Sequence, residues 1–385
     1  MRIAQVAPLY ESVPPQLYGG TERVVSYLTE ELVRMGHEVT LFASGDSVTQ
    51  AKLVAACPQS LWRNPDCRET LPHHVRLMDI VFEDVSRFDV IHFHTDYLHF
   101  PLLRSYPCKS VTTIHGRLHP ADLKSLLEGH SEAQLVSISD SQRLPIPEAN
   151  WVSTVYHGLP RGLHRFRSQS NDYLAFLGRI SPEKRLDRAI EIARLAGKKL
   201  KVAAKIYPEE RAYFAEVIEP LLRDSRSFVD FVGEVGGREK DEFLGNASAL
   251  LFPIDWAEPF GLVMIESLAC GTPVVAWRNG SVPEVIEDGV TGFIVEDLAQ
   301  AVRAVGDVAG LSRVRCRKVF EERFDASRMA GNYLDVYRRL TYSGSDAEQT
   351  VHAFEAPPRT AEGGMDRAMV PRPGGALLGA VPWVA

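Results

Sequence analysis

The chain has 385 residues, 45% hydrophobic and 24% charged, a composition normal for globular protein and too long for one ordinary core. A net charge of −7 argues against a general nucleic-acid binder. Five cysteines, an odd count with no C-x-x-C pair, read as ordinary thiols in a reducing compartment.

Arg2–Ala7 reads as a buried strand that runs from the N-terminus with no leader-like apolar region before it. A loop with Pro8, Pro14 and Pro15 follows and ends in Gly19-Gly20. Thr21–Met35 carries Val24, Val25, Leu28 and Leu32 at helical spacing and closes at Gly36. Short apolar runs at Val39–Ala43, Val90–Phe93, Val111–Ile114 and Leu135–Ile138 suit a parallel sheet covered on both faces. The pattern restarts at Tyr173–Leu177. A helix over Leu186–Leu195 and strands at Leu200–Ala204, Phe228–Val232, Ala249–Phe252 and Val274–Ala276 follow. A polar stretch near Phe166–Asn171 is the expected domain boundary, which divides the chain into 1–169 and 170–324. A last amphipathic helix is expected over 325–340. The segment 341–385, punctuated by Pro and Gly, is expected to be disordered. No run of about 18 apolar residues exists to form a span, and the expected location is cytoplasmic.

Three segments carry chemistry. In Ala257-Glu258-Pro259-Phe260-Gly261-Leu262, Pro259 suits a first helical turn. The amides of Phe260, Gly261 and Leu262 would then meet phosphate at a helix N-terminus. Glu258 and Glu266 are eight residues apart, roughly 12 Å along a helix. That is too far for a glycosidase pair, which needs about 5 Å, but it suits the two ends of an extended ligand. The second segment, Gly178-Arg179-Ile180-Ser181-Pro182-Glu183-Lys184, follows a strand, where ligands collect in open α/β sheets. Arg179 offers a planar fork and Lys184 a point charge to phosphate oxygens. The third, Tyr18-Gly19-Gly20-Thr21-Glu22-Arg23, lets backbone approach an anion, without the G-x-G-x-x-G of a dinucleotide site. Alone, each segment also reads as ordinary surface charge or a turn.

His92 and His94 lie on one face of a strand. With Asp96 or His99 they could hold a metal, or they could line a cleft as polar groups. His115 ends another strand and either faces the same cleft or is a satisfied structural histidine.

Together these segments resemble the family-4 retaining glycosyltransferases of the GT-B type, over about Arg2 to Leu340. The resemblance rests on Tyr18–Arg23, Thr113–Gly116, Gly178-Arg179 with Glu183-Lys184, and Glu258 with Glu266 around Pro259–Leu262. It implies an α/β fold of two Rossmann-like domains facing across a cleft, with an N-terminal acceptor side and a C-terminal nucleotide-sugar donor side. The last helix would return to the first domain. It implies that Arg179 and Lys184 clamp the donor diphosphate with the amides of Phe260, Gly261 and Leu262, while Gly19 and Gly20 approach from the other domain. Glu266 would hold the ribose, Glu258 and His115 the transferred sugar as catalytic residues, and Gly233, Glu234 and Val235 the base through backbone. The expected activity is metal-independent hexosyl transfer, glucosyl foremost, from a UDP-sugar with retention. No cofactor, metal site or nucleic-acid partner is expected, and the acceptor is unidentified. A GT-B phosphorylase, a nucleotide-sugar epimerase or a non-catalytic nucleotide-sugar-binding module are the alternatives. Two departures from the family stand out: Gly158 follows His157 where Asn is frequent, and Ala203-Ala204-Lys205 lacks the more usual Gly.

Overall fold

The computed structural model describes residues 1–16 and 19–341. Tyr18 of the glycine motif, and the expected disorder of the tail from residue 342, lie outside the described residues.

Two parallel sheets form the protein. The first holds β1 (Arg2–Val6), β2 (Glu38–Ser44), β3 (Lys52–Cys57), β4 (Val90–Phe93), β5 (Ser110–Thr113), β6 (Leu135–Ser137) and β7 (Trp151–Thr154). The second holds β8 (Tyr173–Arg179), β9 (Lys199–Lys205), β10 (Val229–Gly233), β11 (Ala249–Phe252), β12 (Val274–Trp277) and β13 (Gly292–Val295). Their orders are β3-β2-β1-β4-β5-β6-β7 and β10-β9-β8-β11-β12-β13. Both are the doubly wound order, in which the sheet grows one way from its first strand and then jumps to the other side. The jump leaves a crevice at the carboxyl ends of β1 and β4, and another at β8 and β11. Register aligns the carboxyl ends of β1 and β4, where Val6 pairs with Phe93.

The inner strands are buried on both faces because helices cover them, and the few polar residues they carry, such as Gln5 and His92, are buried too. β4, β11 and β12 have no exposed residue. The Gly20–Arg34 helix follows β1 and buries Val24, Val25, Leu28 and Leu32. The Ala326–Thr341 helix returns to the first domain and packs on the Gly20–Arg34 helix, burying Met329, Ala330, Tyr333 and Tyr337.

The chain passes between domains twice, and the two passes touch. Leu159 N donates to Phe324 O at 2.9 Å, and Ala326 N donates to Leu159 O at 3.0 Å. The linker is stapled to the second domain by arginines of the Arg313–Arg323 helix. Arg317 donates to the carbonyls of Arg161, His164 and Ala269 at 2.7–3.0 Å. Arg313 donates to those of Arg167, Gly245 and Ala247 at 2.6–2.9 Å.

Gly158 explains its own presence at this crossing. A Cβ there would lie 2.6 Å from the Asp325 carbonyl oxygen and 3.0 Å from Ala326 Cα, both backbone. Gly158→Ala should therefore push the two passes apart and cost about 1–3 kcal/mol of stability. Urea denaturation of the variant beside the parent protein measures this.

Candidate active site

The loops at the carboxyl ends of β8 and β11 meet each other. Asp255 N donates to Glu183 O at 2.8 Å, which joins the loop after β8 to the loop after β11. Lys184 is consequently carried onto Glu258, and its Nζ donates to Glu258 Oε2. The same oxygen accepts from Trp256 Nε1 at 3.0 Å. The Lys184 ammonium also lies over the rings of Trp256 and Phe252, at 5.1 and 5.6 Å.

Glu258 is fixed from behind by the Asn279-Gly280-Ser281 turn. Ser281 N donates to Glu258 O at 3.0 Å, and a Cβ on Gly280 would come within 2.3 Å of Glu258 backbone N and O. The helix after β11 starts later than Pro259 suggested: it spans Leu262–Cys270, with Gly261 as its N-cap at φ 79°. Only glycine adopts that left-handed conformation at no cost, so the extended segment through Pro259 and Phe260 persists to Gly261. The eight-residue estimate between Glu258 and Glu266 is thus helical only in its second half. Leu262 opens the helix, and its free first-turn amides lie at the positive end of the dipole.

Arg179 is held one loop away. Its guanidinium donates to Glu183 Oε1 at 2.8 Å and pairs with Glu210 Oε1 at 3.3 Å. Glu210 is buried, and burial raises its carboxyl above the usual range against the pull of Arg179. Nothing in the sequence pattern singled out Glu210: it reads as a surface residue of Pro208-Glu209-Glu210.

Glu266 sits on the buried side of the Leu262–Cys270 helix. Its Oε1 accepts from Lys240 Nζ at 2.9 Å and lies 4.0 Å from His164 Nε2. Burial opposes its ionisation, yet Lys240, His164 and Arg23 outweigh burial and hold the carboxyl below the usual range. His164 in turn donates from Nδ1 to Asp241 at 2.6 Å. His164, Asp241 and Cys270 lie close enough together to share an ion. Burial raises the Cys270 thiol to about 12. Gly233, Glu234 and Val235 lie at the carboxyl end of β10, on the outer edge of the second sheet.

The first domain faces these groups. Gly19 is the N-cap of the first helix at φ 150°, and a Cβ there would meet Pro15 at 2.8 Å. A Cβ on Gly20 would lie 3.8 Å from Leu262 Cδ1, so the two helix starts oppose each other across the cleft. His115 lies at the end of β5 and is nine-tenths buried. Burial holds its imidazole down at about 3, so it is neutral. Its Nε2 bonds His94 Nδ1 at 2.8 Å, and its ring stacks on His157 at 5.2 Å. His157 contacts the Phe260 ring edge-on at 4.9 Å, which bridges to the donor-side loop. The sequence marked this position only by the missing Asn after it, so the stacking role of His157 itself went unread.

His92, His94 and His99 are occupied in hydrogen bonds to protein rather than gathered on one point. His99 Nε2 bonds Thr112 Oγ1 at 2.8 Å and its ring lies flat on Phe93 at 3.6 Å. Asp96 follows β4 with φ 52°, a conformation that a non-glycine residue adopts at a cost, and burial raises its carboxyl to about 6.

Two family models match the chain: Glycosyltransferase Family 4 over residues 18–174 and Glycosyl transferases group 1 over residues 164–308. The chain is a family-4 glycosyltransferase of the GT-B type. Among relatives, spore coat protein SA of Bacillus subtilis is 24% identical over 394 residues, covering 88% of this chain and all of that protein. Glycogen synthase of Mycobacterium tuberculosis is 28% identical over 377 residues, covering 82% of this chain and 89% of the relative. Among solved structures, Anabaena HepE in complex with UDP-glucose superposes with a TM-score of 0.69 at 15% identity, covering 88% of this chain and all of that one. Among the described residues of this glycosyltransferase, no helix is long and apolar enough to cross a membrane.

Glu22, in the glycine motif of this glycosyltransferase, supplies a pH test of the cleft wall. Burial, the largest influence, raises its carboxyl to about 7, with neighbouring Glu11 adding to the shift against backbone hydrogen bonds. The folded state thus holds this proton more tightly than the unfolded chain. Its stabilising contribution is present below pH ~4.5 and is lost as pH rises through about 7. Glu22→Gln should stabilise the protein by roughly 2–3 kcal/mol at pH 8 and change little at pH ~4. Denaturation curves at the two pH values measure the difference.

Proposed function

We propose that this glycosyltransferase moves a hexosyl group, glucosyl foremost, from a UDP-sugar to a hydroxyl-bearing acceptor, with retention and without a metal ion. The observation that carries the reading is the meeting of Lys184, Glu258 and the Gly261-capped helix start at the carboxyl ends of β8 and β11. A cation and aligned amides at one crevice suit a diphosphate. The fold likeness to HepE, described with UDP-glucose, agrees with that donor class.

In this reading residues 1–169 form the acceptor side, 170–324 the donor side and 325–340 the returning helix. Lys184 and Arg179 take the diphosphate with the amides of Phe260, Gly261 and Leu262, and Gly19 and Gly20 approach from the opposite wall. Glu266, already ionised by Lys240, accepts from the ribose hydroxyls. Backbone of Gly233, Glu234 and Val235 meets the base. Glu258 and His115 accept hydrogen bonds from the transferred sugar.

Charge accounting supports a linked entry. Lys184 is neutralised by Glu258, and Arg179 by Glu183 and Glu210. A diphosphate would draw Lys184 off Glu258 and release that carboxylate toward sugar hydroxyls. As the glycosidic bond to the diphosphate breaks, charge grows on the departing oxygen. The acceptor oxygen bonds the anomeric carbon from the same face while its proton passes to the departing oxygen, and the fixed cations and dipole stabilise that oxygen in place. Retention follows from the shared face.

Arg179→Ala and Lys184→Ala should each lower kcat/KM for transfer or hydrolysis of UDP-glucose by about 10²–10³. Matched urea midpoints would separate lost chemistry from lost folding. Full activity in both folded variants would remove the clamp from the reaction.

A further inference from the structure

A continuous run of buried hydrogen bonds joins the returning helix to His115. Gln5, the fourth residue of β1, is fully buried and stands at its centre. Its Nε2 donates to the Tyr337 hydroxyl at 3.0 Å, and its Oε1 lies 2.8 Å from His94 Nε2. An amide oxygen only accepts, so His94 must carry its proton on Nε2. Burial keeps His94 neutral, far below its usual range, so its Nδ1 is a bare acceptor. That Nδ1 faces His115 Nε2 at 2.8 Å, and His115 must therefore donate from Nε2. Its Nδ1 is then left unprotonated. This atom is buried and finds no hydrogen-bond partner within the described residues.

The other arm obeys the same polarity. Tyr337 accepts from Gln5, so its hydroxyl proton goes to His92 Nδ1 at 2.7 Å. His92 then donates from Nε2 to Thr113 Oγ1 at 2.8 Å, and Thr113 meets the Tyr333 hydroxyl at 2.9 Å. One amide thus orders both arms. Turning it over would reverse the His94 and His115 bonds and place a proton on His115 Nδ1.

We infer that Gln5, oriented by Tyr337 of the returning helix, is a positioning residue that fixes the tautomer of His115, so that Nδ1 is held as a hydrogen-bond acceptor for a hydroxyl of the transferred sugar. A buried ring nitrogen without a partner costs free energy that a ligand hydroxyl would recover. The inference rests on the placement of His115 beside that sugar given under Proposed function. It adds which nitrogen acts and what sets it, and gives the Ala326–Thr341 helix a part in the chemistry through Gln5, 332 residues before Tyr337.

The test uses the full chain with 15N-labelled histidine. The His115 ring signals are identified by their loss in His115→Ala. In the parent protein Nδ1 should resonate as an unprotonated nitrogen and Nε2 as an N–H. Tyr337→Phe releases the amide and should mix or reverse these signals. Tyr333→Phe removes a buried hydroxyl from the same helix beyond Thr113, and should lose comparable stability while keeping the His115 pattern. Tyr337→Phe should also lower kcat for UDP-glucose turnover about tenfold, the value of one hydrogen bond. It should cause no further loss on the His115→Ala background. A protonated Nδ1 in the parent protein, an unchanged pattern in Tyr337→Phe, or additive losses in the double variant would each overturn this inference while leaving the sugar-side reading of His115 intact. Full turnover in His115→Ala would overturn both.

Discussion

A parallel sheet cannot be extended from both sides of its first strand without a reversal, and everything at the cleft follows from where the two reversals fall. β1 and β4 diverge at one, β8 and β11 at the other. The loops that leave those strands have no neighbouring connection to cover them, so they are free to carry Gly19-Gly20, Lys184 and Glu258, with His115 one strand further on, after β5. The paired crossing at Leu159 and Asp325 then turns the two crevices toward each other. The candidate site draws Gly19-Gly20 and His115 from one domain and Lys184 and Glu258 from the other, so neither domain alone contains it.

The cleft keeps its charges matched. Arg179 and Lys184 each lean on a carboxylate, and Glu266 leans on Lys240. A buried charge without a partner is strongly destabilising. The histidines solve the same problem differently. His92, His94, His115 and His157 are all kept neutral by burial and linked by hydrogen bonds or stacking. Such a cluster presents dipoles rather than ions to the cleft.

Much of the architecture was legible because inner strands are mostly apolar runs and several long helices are amphipathic. Of the elements that escaped, three have a pattern that is weak for a physical reason. β3 and β7 are edge strands, half exposed along much of their length. The Arg313–Arg323 helix has seven charged residues among its eleven and buries only Cys316, Val319 and Phe320, since its arginines act on backbone carbonyls instead of a core. At the site, Arg179, Lys184, Glu258 and Glu266 were singled out by their motifs. Glu210, Lys240, His157 and Gln5 were not, because each acts on a group distant in sequence and carries no local signature. Pro259 misled the helix start, as the left-handed Gly261 rather than the proline ends the extended segment.

The bond between Gln5 and Tyr337 also constrains how the protein comes into being. During synthesis the first sheet leaves the ribosome long before its last helix. Until that helix arrives, Gln5, His92 and Thr113 lack the hydroxyls of Tyr333 and Tyr337. The cradle that receives those two tyrosines stays open to water while the whole second domain is made. The buried hydrogen bonds of the first sheet are therefore completed only after the second domain has been synthesised.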